Sequence, residues 1–499
     1  MSHAVTPDRQ RPGLTLWVLA LSALAYILLQ SMVLPALPEI GRRLHTTQST
    51  VAWVLTAYLV SASIATPVLG RLGDMFGKRR VLVAVLASLV VGSIVAALTT
   101  SIAVMIVARV IQGGGGAIFP LAFSIIRDEF PRERVAGAIG LISAIIGIGA
   151  GLAIVVSGPI VDNLSFHWLF WIPGIISLIA IVATVLWVPE SPITAPGRVN
   201  VRSIVTLSGW LVCLLLGVSE GSDWGWTSGR VLGLFAGAVV LFAGWLASEL
   251  RTDQPLVDVR MMRIPAVWWT NVSATLFGFG MYSLMLAVPA FLQTPASAGY
   301  GFGASITRSG FALLPMSGAM LVAGILTGRL TTRFGSKVPL VAGSALSAIG
   351  MFFLSIEHGS EWNFYAAMLM VGLGIGFAFS AMSNLVVEAV PPGQTGVATG
   401  MNANVRTIGG SIGSQIVATV IAAGVVAGAL PHERGYVVAF VVMGAALAAA
   451  GVAAAFVPSL AERRATGHDE QAHAFDELSI DASVIGPAEA GLAIGERTA

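Results

Sequence analysis

Long apolar runs, broken by short polar segments, set the pattern of this chain from end to end. With a window of about 19 residues, fourteen runs stand out, at 14–34, 51–69, 81–99, 102–124, 135–160, 168–188, 204–219, 231–248, 266–292, 309–327, 338–356, 363–387, 395–426 and 436–457. A helix needs roughly 20 mostly apolar residues to cross a bilayer. The pattern therefore predicts an all-α polytopic membrane protein with fourteen transmembrane helices. Inside the runs only Arg109 and Arg406 carry charge.

The placement of charge gives the orientation. One set of alternate loops holds only Arg42, Arg43, Arg230, Arg308 and Arg434 of the 27 Lys and Arg residues, and nearly all the others fall on the opposite face. Basic residues mark the cytoplasmic side, so both termini are expected inside the cell membrane (N-in, C-in). The chain is 56% hydrophobic and 10% charged, against about 25% charged residues in soluble domains. Arg9 and Arg11 ahead of the first run imitate a signal peptide. That run is too long for one, and it is read as an uncleaved first helix. Cys213 is the only cysteine, which leaves no internal disulfide and no cysteine-based metal site. There is no enzyme motif, Walker loop or metal-ligand cluster. Neither enzymatic activity, cofactor, metal, nucleic-acid partner nor direct ATP coupling is expected.

Between the second and third runs lies Gly70-Arg71-Leu72-Gly73-Asp74-Met75-Phe76-Gly77-Lys78-Arg79-Arg80. Gly70 and Gly73 allow close approach, and Gly77 allows a positive φ. Asp74 can accept bonds at a helix start, and Arg79 and Arg80 suit headgroup depth. The motif returns as Gly328-Arg329-Leu330-Thr331-Thr332-Arg333-Phe334-Gly335-Ser336-Lys337, with Thr332 where the first copy has Asp74. Two similar hairpins in one membrane chain suggest a transporter built by duplication. The first copy resembles the signature loop of the major facilitator superfamily. There, the Asp and Arg of the loop latch the cytoplasmic side, a gating role that the resemblance gives to Gly70, Asp74, Gly77, Arg79 and Arg80.

The first motif follows run 2 and its echo follows run 10. A six-helix repeat then places two extra helices between the halves, which is similar to the fourteen-helix drug:proton antiporter branch of that superfamily. The expected organisation is a cytoplasmic tail over 1–13, a six-helix bundle over 14–188, linkers and an inserted helix pair over 189–264, a second six-helix bundle over 265–457, and a disordered cytoplasmic tail over 458–499. The linker into the pair carries Pro192, Pro196 and Gly197.

An arginine at membrane depth is costly and faces a cavity or a partner. Arg109 and Gln112, three apart and followed by four glycines, match the R-x-x-Q-G motif of the branch, where the Arg serves substrate or proton movement. Bracing against a neighbouring helix is the alternative. Asn402-Ala403-Asn404-Val405-Arg406-Thr407-Ile408-Gly409-Gly410 resembles the N-x-x-R-x-x-G-G pattern, loosely at the Asn and well from Arg406 onward; Arg406 faces the cavity or braces a neighbouring helix, and Asn404 and Tyr282 of run 9 could join a cavity. Two signatures depart. Run 5 offers Gly147-Ile148-Gly149-Ala150-Gly151 without the antiport proline, and Leu29 stands where the branch carries an acid on its first helix. Proton-coupling candidates are then Asp162, Glu220, Asp223 and Glu388, all at run ends. The expected function is proton-coupled efflux of lipophilic drugs or natural products by alternating access. The expected partners are a small-molecule substrate, protons and the lipid bilayer, in a monomeric plasma-membrane protein. An uptake carrier or uniporter, and a non-transporting receptor, are the alternatives.

Overall fold

Fourteen helices with the length and hydropathy of membrane spans dominate the computed structural model, which describes residues 12–33, 36–46, 48–191, 200–252, 259–423 and 430–458. They are α1 (Pro12–Ser31), α2 (Gln48–Phe76), α3 (Lys78–Leu98), α4 (Ile102–Glu129), α5 (Arg132–Asn163), α6 (Trp168–Trp187), α7 (Val201–Ser219), α8 (Gly229–Arg251), α9 (Pro265–Gln293), α10 (Leu314–Phe334), α11 (Lys337–Ile356), α12 (Glu361–Ala389), α13 (Thr395–Ala422) and α14 (Glu433–Ala455). No strand occurs among the described residues. The linker residues Pro192, Pro196 and Gly197, the N-terminal tail before Pro12 and the C-terminal tail beyond Pro458 lie outside the described residues.

Helix contacts repeat with an offset of eight. In the first bundle α1 packs on α5 and α6, α3 on α4 and α6, and α2 on α4. In the second, α9 packs on α13 and α14, α11 on α12 and α14, and α10 on α12. Each bundle has its own apolar core, one around Leu19, Tyr58, Leu89 and Phe170, the other around Phe277, Phe291, Phe364 and Phe440. The pair α7 and α8 packs on itself and rests against the foot of α12 and α13, where Leu207, Trp210 and Trp245 meet Val386, Val390 and Val397. Large apolar side chains such as Val107, Val182, Val239 and Ile349 are exposed. In a bilayer these face lipid, which is as apolar as they are.

Two details differ from the sequence pattern. The segment read as a loop from Gly70 is helical through Phe76, so α2 and α3 are joined by Gly77 alone, at φ 105°. Polar residues at a bilayer edge end an apolar run without ending a helix. The fourth run is one span with a 3₁₀ segment at Gly113–Ala117. Four glycines there have weak helix propensity, and they bring the backbone against Ser61, Ser88, Tyr26 and Thr66.

The two bundles meet along α2–α13 and α5–α10. Small residues form the second seam. A Cβ on Gly140 would lie 2.5 Å from the Gly324 carbonyl oxygen, and one on Gly324 would lie 2.8 Å from that of Gly140. Such close approach is the membrane substitute for hydrophobic attraction between helices. Gly324→Leu should therefore destabilise the folded protein by about 1–3 kcal/mol, the usual cost of overpacking. Gly318→Leu, on the same helix with nothing within 4 Å of its would-be Cβ, should leave the melting temperature unchanged. Equal thermal melts of the two purified variants in detergent would show that the seam is not a tight contact.

Candidate functional site

The α2–α3 hairpin meets the other half of the chain at the cytoplasmic side. Gly70 touches the other half directly, since a Cβ on it would lie 2.7 Å from the Gly396 carbonyl oxygen. One turn on, Asp74 is only 1% exposed. Its carboxylate accepts the hydroxyl of Ser124 on α4 (3.2 Å) and the backbone N–H of Val397 on α13 (3.4 Å). Val397 lies in the first turn of α13, whose own N-cap residue, Gln394, makes no side-chain cap bond. The opening N–H groups of a helix lack internal partners, and the helix dipole favours negative charge there. Asp74 therefore caps a helix of the opposite half. Arg127 reinforces the contact by donating to the Val390 carbonyl (2.6 Å) and to Thr395 Oγ1 (2.8 Å).

Behind this contact lies a second layer of charge. Lys78 is fully buried and paired with Asp128, which also accepts the Ser191 hydroxyl. The Arg79 N–H donates to Glu190 (3.1 Å) and its guanidinium to the Val185 carbonyl (2.6 Å), tying α3 to the end of α6. Arg80 reaches Glu190 at 3.6 Å and is largely exposed. A Cβ on Gly77 would meet the Glu190 carboxylate at 2.7 Å, so glycine is required for space as well as for φ. The echo is plainer. Gly335 repeats the positive φ, at 78°, and Thr332 is exposed and bonds only back to the Arg329 carbonyl of its own helix (3.0 Å). Where Lys78 stands in the first copy, Ser336 donates to Glu388 (2.9 Å).

Deeper in the first bundle, Arg109 is fully buried. Its guanidinium donates to Gln112 Oε1 (2.8 Å) and to the carbonyls of Val54 (3.0 Å) and Leu29 (3.4 Å), and it covers the Tyr58 ring at 4.1 Å. Gln112 passes the chain of bonds to Ser93 on α3 (3.2 Å). With no acid at Leu29, carbonyls and an aromatic face take the place of a counter-ion, and four helices are tied at one point. One guanidinium nitrogen keeps no partner. Tyr26 lies within electrostatic reach of Arg109, Arg406 and Tyr282.

Arg406 stands differently. It is partly exposed, stacks on Phe379 at 4.3 Å, and lines a narrow cavity walled by α4 and α5 on one side and α12 and α13 on the other. Asn404 points to the seam, donating to the Ser63 carbonyl on α2 (2.7 Å). Tyr282 is half-buried, with its ring in the space that Gly410 leaves. The proton-coupling candidates are scattered. Glu388 is exposed at the foot of α12, Glu220 is half-buried at the C-terminal end of α7, and the side chains of Asp162 and Asp223 lie outside the described residues. Sequence reasoning missed Tyr26, Tyr58, Lys78, Arg127, Asp128 and Ser143. Lys78 sat in plain view beside Arg79, but nothing in the sequence brings the distant Asp128 next to it.

A family model described as Major Facilitator Superfamily matches residues 19–414. The tetracenomycin C resistance and export protein of Streptomyces glaucescens is 31% identical over 407 residues, covering 81% of this chain and 74% of that one. The multidrug transporter MdtP of Bacillus subtilis is 28% identical, covering 73% of this chain and 67% of that one. A crystal structure of the human organic anion transporter MFSD10 shares the fold with a TM-score of 0.65 at 16% identity, covering 90% of this chain and 100% of that chain. The family match runs through the first bundle, the inserted pair and most of the second bundle, over both hairpins, and the chain belongs to the Major Facilitator Superfamily.

Proposed function

We propose that this protein exports small lipophilic molecules from the cytoplasm by alternating access, as a monomer driven by the proton gradient. Relatives named for multidrug resistance and antibiotic export support the direction. The observation that carries the mechanism is Asp74 capping α13 across the two halves. With this contact made, the cytoplasmic ends of the bundles are held together. Breaking it frees the first turn of α13 and lets the halves part toward the cytoplasm, where substrate enters. A carboxylate at a helix N-terminus is worth about 0.3–1 kcal/mol on a surface and up to about 2 kcal/mol when partly buried. That is enough to hold a gate and little enough to release it.

Arg109 acts in this scheme by holding α1, α2, α3 and α4 as one rigid body, so that the bundle swings without internal loss. The inner ends of α2 and α4 then move together against α13. The acid that carries the proton is placed at the outer face, with Asp162 at the end of α5 preferred. That helix forms one of the two seams and feels the change of access along its length.

Asp74→Asn should cut export of a dye from inverted vesicles several-fold while equilibrium binding stays within about threefold, since only the charge on the α13 terminus is removed. Thr332→Ala should change neither quantity. Full flux in a well-expressed Asp74→Asn protein would sink the latch.

Arg109→Ala should abolish flux, and Arg109→Lys should restore little, because a point charge cannot replace a planar fork that bonds Gln112 and two carbonyls at once. Transport by the lysine variant at the wild-type rate would remove the bracing role.

Neutralising Asp162, Glu220, Asp223 and Glu388 one at a time, and measuring uptake into inverted vesicles after a pH jump, tests the coupling. Asp162→Asn is expected to lose accumulation against a gradient while still equilibrating substrate. Concentrative transport by all four variants would overturn the assignment. A wild type that only equilibrates substrate would replace the antiporter reading with a uniporter.

A further inference from the structure

Resting on that export reading, we infer that the substrate is an organic anion with an aromatic core, and that Arg406 and Ser143 hold its charge between the two halves.

The cavity that straddles the bundles has an uneven chemistry. Phe119 and Phe123 of α4 and Phe379 of α12 supply flat apolar walls. Arg406 is the one charged group in the lining, and no acid stands there among the described residues. Its guanidinium has the Phe379 ring beside it but no hydrogen-bond or ion-pair partner among the described residues. Across the cavity, the Ser143 hydroxyl on α5 is buried at 2% exposure and also has no partner. Buried polar groups are normally satisfied, and a cation in a low-dielectric site needs a counter-charge. Two unpaired donors, one on each half, facing one aromatic-walled space, make a place for a carboxylate or phenolate.

The alternative charge is disfavoured by the same residues. A cationic substrate would sit beside Arg406, with Arg109 also buried nearby in the bundle and Tyr26 coupled to both. Asp74, the buried carboxylate of α2, is occupied by Ser124 and the N-terminus of α13. An aromatic core fits because a guanidinium stacks on flat rings as readily as it binds oxygen, and phenylalanine walls take planar apolar faces. The cavity here is closed to about 20 Å³, room for a single water. Its walls come from both halves, so it widens to admit substrate only when the cytoplasmic gate opens. An anion bonded to Arg406 and Ser143 together bridges the halves, and it favours the widened state that can hold it over the closed one.

The test uses two dyes with one xanthene core, fluorescein as the anion and rhodamine 6G as the cation. Binding to the purified full-length protein is read by fluorescence polarisation, and flux is read in proteoliposomes. Wild type should bind and move fluorescein in preference to rhodamine 6G. Arg406→Gln should weaken fluorescein binding about tenfold or more, the scale of a lost charge-assisted fork, and Arg406→Lys should recover part of it. Ser143→Ala, a milder change, should weaken it a few-fold in a protein that elutes as a single species. Preference of the wild type for rhodamine 6G, or fluorescein binding indifferent to both positions, would overturn the anion site while leaving export standing. Movement of neither dye, with no binding of either, would overturn the export reading together with it.

Discussion

The first turn of α13 begins inside the protein, with backbone N–H groups that no residue of its own sequence caps. Within a membrane protein such groups have little water to turn to, and each one left bare is costly. Asp74 answers that need from the opposite bundle. The partners around this exchange keep Asp74 in place. Ser124 fixes the carboxylate from α4, Gly70 and Gly396 let the backbones approach, and Gly77 turns the chain sharply enough to set α3 against α4 and α6.

The two hairpin copies are not alike. The first hairpin holds a buried lysine–aspartate pair and the second a serine–glutamate hydrogen bond. Asp74 caps a helix across the seam, whereas Thr332 bonds to its own turn. The charged groups are concentrated on the α2–α13 side, while the α5–α10 side is closed by glycine packing, with a bond from Ser380 of the neighbouring α12 to the Gly140 carbonyl at 3.4 Å. One seam holds a charged contact and the other is packed from small residues.

Much of this architecture was legible in the chain, because a bilayer imposes length and polarity on every span. The fourteen helices follow from apolar runs, and the inserted pair follows from the distance between Gly70 and Gly328. What the chain does not record is which residues from distant runs meet. Arg109 reads equally as a cavity group or a brace until Leu29, Val54 and Tyr58 are placed around it. Lys78 has no distinguishing mark in the chain until Asp128 is found beside it. The end of α2 was misjudged because Arg71 and Asp74 break hydropathy without breaking helical hydrogen bonding.

The contacts between Gly70 and Gly396, Gly137 and Gly328, and Gly140 and Gly324 are main chain against main chain. Side chains that interlock must change rotamer before two helices can slide, and each such change adds to the activation barrier. Bare backbone has no rotamers. At these points the two halves can shift without any rotamer change of the glycines themselves. A transporter made this way can keep a firm closed state and still turn over quickly, because strength and resistance to motion reside in different residues.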